Sequence, residues 1–525
     1  MGVSLRAVMR RVCFCSLLLS AALLCSIGAY AQDKTVRKVI ELGQTDNRTM
    51  QHDDFLSNRI GGRLIGSHAL EDAEKWVAKQ FREWGYDVQV QEVGEIAVGF
   101  NRGPWSGRML SEDGMPLHFV TPAYTAGTKG PQKGHVVIEP KTTKEFEQIK
   151  GKLKGAWVLV SGSSNGFPID GSADADAQRA KVIEENDGIY EQNMQIRYYN
   201  FEHRDAPKAM LPYKETPAVF YRQMVEAGVL GFIQAGDVPL KCHYDRKNCF
   251  NITMETLPTV CDIKLDREQY EIIRKKVETK RDFLLEFDIR NHFSEGPVKY
   301  HNIIATMKGS KYPGEYVLAG GHLDAYDAGT GAVDDGQGTS VTMEAARLLA
   351  AAGAKPKRSV MFCIWTGEEY GLFGSKFFVE NKTVPLDKIS NYFNRDGGPE
   401  APVSVTVTPA MYDDFVEVSK PVADANPDFP FTVKKSERGP QPRPKTAGGS
   451  DHAYFAMNGV PTVQLDLKDV KGYGFEYGEI WHTENDRFDK CIPEYMEYSS
   501  VVTAVLMYGI ANLDHLLSRE GLYND

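Results

Sequence analysis

YVLAGGHLDAYDAGTGAVDDGQGTSVTMEAARLLAAAGAKPKRSVMFCIW, residues 316–365, decides the fold. Tyr316–Ala319 is an apolar run of strand length, and a loop rich in Gly and Asp separates it from a helix over Thr339–Ala352. Ser359–Trp365 then returns as a second apolar strand. Further along, Gly374–Glu380 opens a helix, Val403–Val407 and Thr462–Leu465 read as strands, and Ser499–Leu517 is a long closing helix. Strands alternating with helices give an α/β fold, a mixed and largely parallel sheet flanked by helices. In such a sheet ligands sit beyond the carboxyl ends of the strands, so the loops that follow strands carry the chemistry.

Those loops hold a recurring set of groups. Gly320-Gly321-His322-Leu323-Asp324 places an imidazole and a carboxylate two residues apart, where both can face one pocket; the histidine can bind a metal while the aspartate orients it. Gly331–Gly338 contains Asp334 and Asp335, adjacent carboxylates that repel one another unless a cation or solvent intervenes. Asp334 is the candidate bridge between two metals, while Asp335 or Thr339 can equally cap the helix. Thr366-Gly367-Glu368-Glu369 can divide the labour of its two acids, one ligating metal and the other accepting a proton from water. Asn394-Arg395-Asp396 supplies a further carboxylate and Trp481-His482 a second histidine. The other histidines, His452 apart, sit in no comparable setting. Two histidines and three carboxylates form a site of nitrogen and oxygen donors alone, suited to Zn, Mn or Co.

Upstream, residues 51–92 read as a helix, the Gly-rich turn Ile60–Arg63, a second helix ending at Gly85, and a strand over Asp87–Val93. From about 100 to 295 the texture changes to short strands (His135–Ile138, Ala156–Ser161, Gly228–Gln234, Phe283–Ile289) separated by polar stretches such as Asp170–Asp187. This is the pattern of a separate β-rich domain inserted into the first. The resulting partition is 1–31 as a signal peptide, 32–110 and 296–525 as the two parts of the main domain, and 111–295 as the insertion. Arg6, Arg10 and Arg11, the apolar run Val12–Leu24 and Ala29-Tyr30-Ala31 form the signal, with cleavage near Ala31-Gln32 and a secreted or periplasmic product. The apolar run is too short for a comfortable span, and no other stretch reaches 18 apolar residues.

Cleavage leaves 58 basic against 71 acidic side chains, a net charge of about −13, which argues against a nucleic-acid partner. Five cysteines remain, too few and too irregular for a disulfide scaffold. Cys242 and Cys249 are near enough in sequence to bridge in an oxidising compartment or to stay as thiols.

Taken together, GGHLDAYDAGTGAVDDGQG, WTGEEYGLFGS, NRDGG, Gly449-Ser450-Asp451-His452 and Trp481-His482-Thr483 resemble the zinc exopeptidase family of two-zinc aminopeptidases, glutamate carboxypeptidase II and carboxypeptidase Q. HLDAYDAGTGAVDDG is similar above all to the carboxypeptidase Q branch, and the inserted segment resembles a protease-associated domain. The resemblance implies two zinc ions per chain, one on His322 and Asp396, the other on Glu369 and His482, with Asp334 bridging. It implies Glu368 as general base, Asp324 in support of His322, and free-ended peptides or dipeptides as substrates, cut from the amino or the carboxyl end. Asp451 and His452 correspond to structural or rim residues. Some members carry a tyrosine directly before the last histidine, where Trp481 stands here. The same fold also serves metal-free binding proteins and glutaminyl-cyclase-like acyltransferases; the complete ligand set distinguishes this chain from the first, and the paired-metal ligand set with the inserted segment from the second.

Overall fold

The computed structural model describes residues 34–110, 114–244 and 246–524. The signal peptide expected over 1–31 lies outside the described residues. Three sheets organise the described residues. The central one has five strands in the order Asp87–Asn101, His292–Met307, Arg358–Trp365, Tyr312–His322, Ile389–Asn394. Its first two neighbour pairings are antiparallel and its last two parallel, so the sheet is mixed and its parallel half carries the 316–365 unit. The Arg358–Trp365 strand is buried along its whole length, and the helices Gln337–Ala351 and Pro493–Asn512 are buried along nearly all of theirs. A strand covered on both faces must be apolar throughout, which is why Ser359–Trp365 reads as an unbroken run.

A three-stranded sheet, Thr432–Lys435, Ala401–Val407 and Leu465–Lys468, extends this body. Its last strand begins where the expected strand over Thr462–Leu465 ends; Pro461 to Gln464 instead run beside Ile389–Asn394, with the Asn391 side chain donating to the Val463 oxygen and accepting the Val463 amide. A seven-stranded sheet runs Trp105–Leu110, Leu284–Ile289, Gln132–Ile138, Ala156–Ser164, Gly231–Gly236, Cys261–Asp266, Phe119–Val120 and has its own apolar core around Trp157, Leu159, Ile263 and Phe287.

The stretch that includes Asp170–Asp187, read from sequence as a polar connection, is the start of a 30-residue helix, Ala173–Glu202, capped by the Ser172 hydroxyl on the Ala175 amide. Its inward residues are Arg179, Asn186 and Asn193. Asn186, Asn193 and Asn200 recur every seven residues, and each both donates to and accepts from the backbone of one residue of the returning segment: Lys214, Leu211 and Lys208. A helix that docks through side-chain amides onto a backbone shows no apolar stripe, so hydrophobic periodicity cannot register it.

Among the described residues no helix is long and apolar enough to cross a membrane. Cys242 and Cys249 are buried and not bridged to one another, and the remaining three cysteines of the described residues are buried thiols as well.

Candidate metal centre

Parallel strands deliver the site. His322 is the last residue of Tyr312–His322, Glu368 and Glu369 follow Arg358–Trp365 by three and four residues, and Asp396 follows Ile389–Asn394 by two. All therefore emerge at one carboxyl edge of the sheet. Asp334 comes from the loop ahead of the Gln337–Ala351 helix, across a cis peptide to Asp335, and His482 from the loop 481–486.

These side chains converge. His322 Nε2 lies 3.3 Å from Asp334 Oδ1, 3.8 Å from Asp396 Oδ2 and 4.0 Å from Glu368 Oε2. On the other side of Asp334, His482 Nε2 lies 3.6 Å from Asp334 Oδ2 and 3.0 Å from Glu369 Oε2. Two groups of donor atoms each close enough to hold one cation result, His322–Asp334–Asp396 and Asp334–Glu369–His482, with Asp334 in both. Asp334 Oδ2 and Glu369 Oε1 are buried and have no hydrogen-bond partner among the described residues. A buried carboxylate oxygen without a donor is expensive, and a cation removes that cost. Imidazole nitrogens and carboxylate oxygens at this spacing fit zinc, which binds both.

The electrostatics follow from packing four acids and two imidazoles in one buried place. Burial works against a charged His322, but Asp334, Glu368 and Asp396 outweigh it and hold its pKa well above the ordinary value. Burial lifts Glu369 to about 7, with Asp334 adding to the rise. Glu368 is raised by burial and then by Asp396 and Glu369. Asp334 alone among these acids is lowered: burial opposes, yet the two histidines beside it prevail.

The surroundings hold the donors in place. His322 Nδ1 is 2.8 Å from the backbone oxygen of Asp324. The Asp324 carboxylate instead accepts the backbone amides of Glu368 at 3.1 Å and Glu369 at 3.2 Å, so it secures the turn bearing both glutamates. Asp335 accepts from the His322, Gly338 and Gln337 nitrogens, and Thr339 donates to the His322 oxygen.

Three supporting residues had no role assigned from sequence. Asp486 accepts the Val333 amide at 2.7 Å and the Asp334 amide, fixing the loop that carries the shared carboxylate. Arg63 is fully buried and donates to the oxygens of Leu323, Gly61, Thr330 and Gly331, tying two site loops to the N-terminal Gly-rich turn. His243 packs edge-on to His482 with ring centroids 4.8 Å apart, and burial lowers its pKa to about 3. Only the acid of Asp486, adjacent to the histidine motif, left any trace in the sequence.

Beyond the donors lies a cavity of about 520 Å³, walled by Ser450, His452, Gln464, Tyr477 and Trp481. Trp481 is 40 % exposed, the openness of a cleft wall rather than a core residue. Asp451, behind His452, is fully buried, and burial raises its carboxyl to about 7.

Residues 302–506, which contain every donor, match the model of Peptidase family M28. The chain therefore carries a Peptidase family M28 domain. The peptidase is similar to carboxypeptidase Q of Rattus norvegicus, 26% identical over 499 residues that span 93% of this chain and 90% of the relative. Its fold is similar to that of a peptidase M28 precursor from Shewanella amazonensis SB2B, with a TM-score of 0.56 and 20% identity over 94% of this chain and 99% of that one. It is also similar in fold to BSAP, a zinc aminopeptidase from Bacillus subtilis, with a TM-score of 0.50 and 16% identity over 91% and 97% of the two chains.

Proposed function

We propose that this peptidase is a secreted two-zinc exopeptidase that hydrolyses dipeptides or the terminal bond of short peptides, with Glu368 as general base. The single observation that carries the reading is the pair of donor groups sharing Asp334 at the foot of a cleft. His322 and Asp396 would hold one zinc, Glu369 and His482 the other, and Asp334 would bridge them. Bound there, the zinc pair supplies Lewis acidity and a water acidic enough to ionise near neutral pH.

The protein's own groups do the rest. Glu368 takes the proton of the attacking water and returns it to the leaving amine, a role helped by a carboxyl whose pKa burial and neighbouring acids have raised well above its ordinary value. Asp324 keeps Glu368 aimed through the two amides it accepts. Tyr477 and Trp481 line the cleft, and their O–H and N–H would serve as donors to the developing oxyanion in place of the tyrosine that some relatives carry next to the last histidine.

For direction of attack, the carboxypeptidase reading has the support of likeness to carboxypeptidase Q over nearly the whole chain. The aminopeptidase reading has a different support. Arg395, which lines the cleft, turns its guanidinium toward the oxygens of Gly398 and Glu400 rather than toward a substrate carboxylate. The partition into 32–110, 111–295 and 296–525, with the middle segment as a protease-associated-like insertion, belongs to the same proposal. Its support is the separate seven-stranded sheet, whose Trp105–Leu110 strand precedes position 111.

Elemental analysis for metal, together with hydrolysis of unblocked, amino-blocked and carboxy-blocked dipeptides, tests the proposal. About two zinc per chain with cleavage that needs a free carboxylate is the expected result. A requirement for a free amine moves the enzyme to the aminopeptidases. No metal and no cleavage after zinc is supplied refutes the reading.

A further inference from the structure

His482 is held differently from His322. Metal-binding histidines usually donate their second ring N–H to a carboxylate or a carbonyl, which fixes the ring. His322 follows this rule through the Asp324 oxygen. His482 does not: its Nδ1 is buried and has no hydrogen-bond partner among the described residues. Its backbone also sits at φ 57°, in the left-handed region that a residue with a side chain occupies only when its surroundings impose it.

What surrounds it is aromatic. Trp481 stacks on the ring at 4.0 Å, Tyr326 lies at 4.4 Å, and His243 meets it edge-on at 4.8 Å. His243 is in turn stacked on Phe167 at 4.4 Å. Gly166 makes that approach feasible: a Cβ there would lie 2.6 Å from the His243 ring, and its carbonyl accepts the His243 amide.

The chain beside His243 grips the same loop by its backbone. Cys242 donates its amide to the His482 oxygen at 2.9 Å, and Lys241 and Thr483 form an antiparallel bridge. Leu240 and Glu484 exchange two bonds at 3.0 Å, one to the Glu484 side chain, whose other oxygen reaches His118 at 2.8 Å. Tyr244, the next residue, donates its hydroxyl to the Glu369 oxygen and stacks on Tyr370 at 3.8 Å. One five-residue segment, leading out of the seven-stranded sheet just after its Gly231–Gly236 strand, thus contacts the loops of both His482 and Glu369.

We infer that Leu240–Tyr244 is a positioning element for the His482–Glu369 half of the metal centre, with the ring of His243 serving in place of the missing hydrogen bond to His482. The inference rests on the two-metal reading of the site and assigns the segment from the second sheet a part in building it. It distinguishes ring packing from imidazole chemistry, because a phenyl ring can do the first and not the second.

The test is zinc binding by the full mature chain, stripped of metal and titrated against a chromophoric chelator, which needs no substrate. His243→Ala weakens one of the two zinc steps by about 10- to 100-fold, the range typical when a group orienting a ligand is removed, and leaves the other step as in wild type. His243→Phe restores that step, and the cobalt-substituted protein regains the wild-type visible spectrum. Two unchanged steps in His243→Ala overturn the inference, as does a His243→Phe protein as weak as His243→Ala. Should His243→Ala fail to fold, Glu484→Ala loosens the same bridge from outside the aromatic cluster, and an unaltered zinc titration there overturns it equally. A wild-type chain that takes up no zinc would refute the two-metal reading itself, and this inference with it.

Discussion

Asp324→Asn separates two ways in which a buried carboxylate can serve this centre. The Asp324 carboxylate accepts the Glu368 and Glu369 amides at 3.1 and 3.2 Å, whereas its nearer oxygen is 3.9 Å from His322 Nδ1, beyond hydrogen-bond reach. An asparagine keeps one acceptor and turns an NH2 group on the other amide. One charge-assisted bond becomes neutral, and at the second a donor faces a donor. Bonds to charged groups contribute about 1.5–3 kcal/mol and a stranded buried N–H costs about 1–3 kcal/mol. Burial already raises the Asp324 pKa, so losing the charge offsets part of this. The net strain, roughly 2 kcal/mol, falls on the turn that aims Glu368. A shift of about 1 Å in a catalytic group is enough to cost about 100-fold in rate. The expected result is a kcat about 10- to 100-fold lower with zinc content unchanged at saturating zinc, because the Asp324 carbonyl that holds His322 is untouched by the substitution and the Glu369 group keeps Asp334 and His482. Steady-state hydrolysis of a dipeptide substrate, with elemental analysis of the same sample, measures both. An unaltered kcat, or loss of one zinc ahead of any loss in turnover per zinc, would refute this division of roles.

Glu368→Gln is expected to keep both metals and lose at least ~100-fold in kcat, the scale of general acid–base catalysis; near-wild-type turnover would remove Glu368 from the mechanism. Gly338→Ala would drive a methyl into the Arg395 carbonyl and the Asp335 carboxylate, which holds the His322 amide. Overpacking of this kind costs about 1–3 kcal/mol, so weaker zinc binding and a lower melting temperature are expected, and a wild-type titration curve would contradict the packing argument. Asp53 is fully buried, and burial lifts its pKa to about 7. In the folded state it therefore holds a proton that the unfolded chain has released above pH ~4, and its contribution falls as pH rises from ~4 through 7. Unfolding of Asp53→Asn followed by denaturant at pH 4 to 8 should show the variant gaining on the wild type as pH rises; a gap independent of pH would exclude this titration.

The sequence alone determined the strand–loop–helix–strand unit, because a doubly covered strand such as Ser359–Trp365 must be apolar at every position and its loops are punctuated by glycine. It also singled out His322, Asp334, Glu369, Asp396 and His482 as candidate donors, since ligand chemistry is a property of residue type and these types recur where α/β strands end. What it could not decide is anything that depends on a partner distant along the chain. The Asn186–Asn193–Asn200 ladder is invisible to apolar periodicity because its contact is made by amides on a returning backbone. The task of Asp324 depends on amides 44 and 45 residues away, and that of His243 on a ring far downstream. Arg63 looks like any arginine beside a glycine turn until five carbonyl groups, that of Leu56 among them, close round it. Residue type reports what a side chain can do; only the tertiary structure brings to it the particular carbonyl, amide or ring that makes it do so.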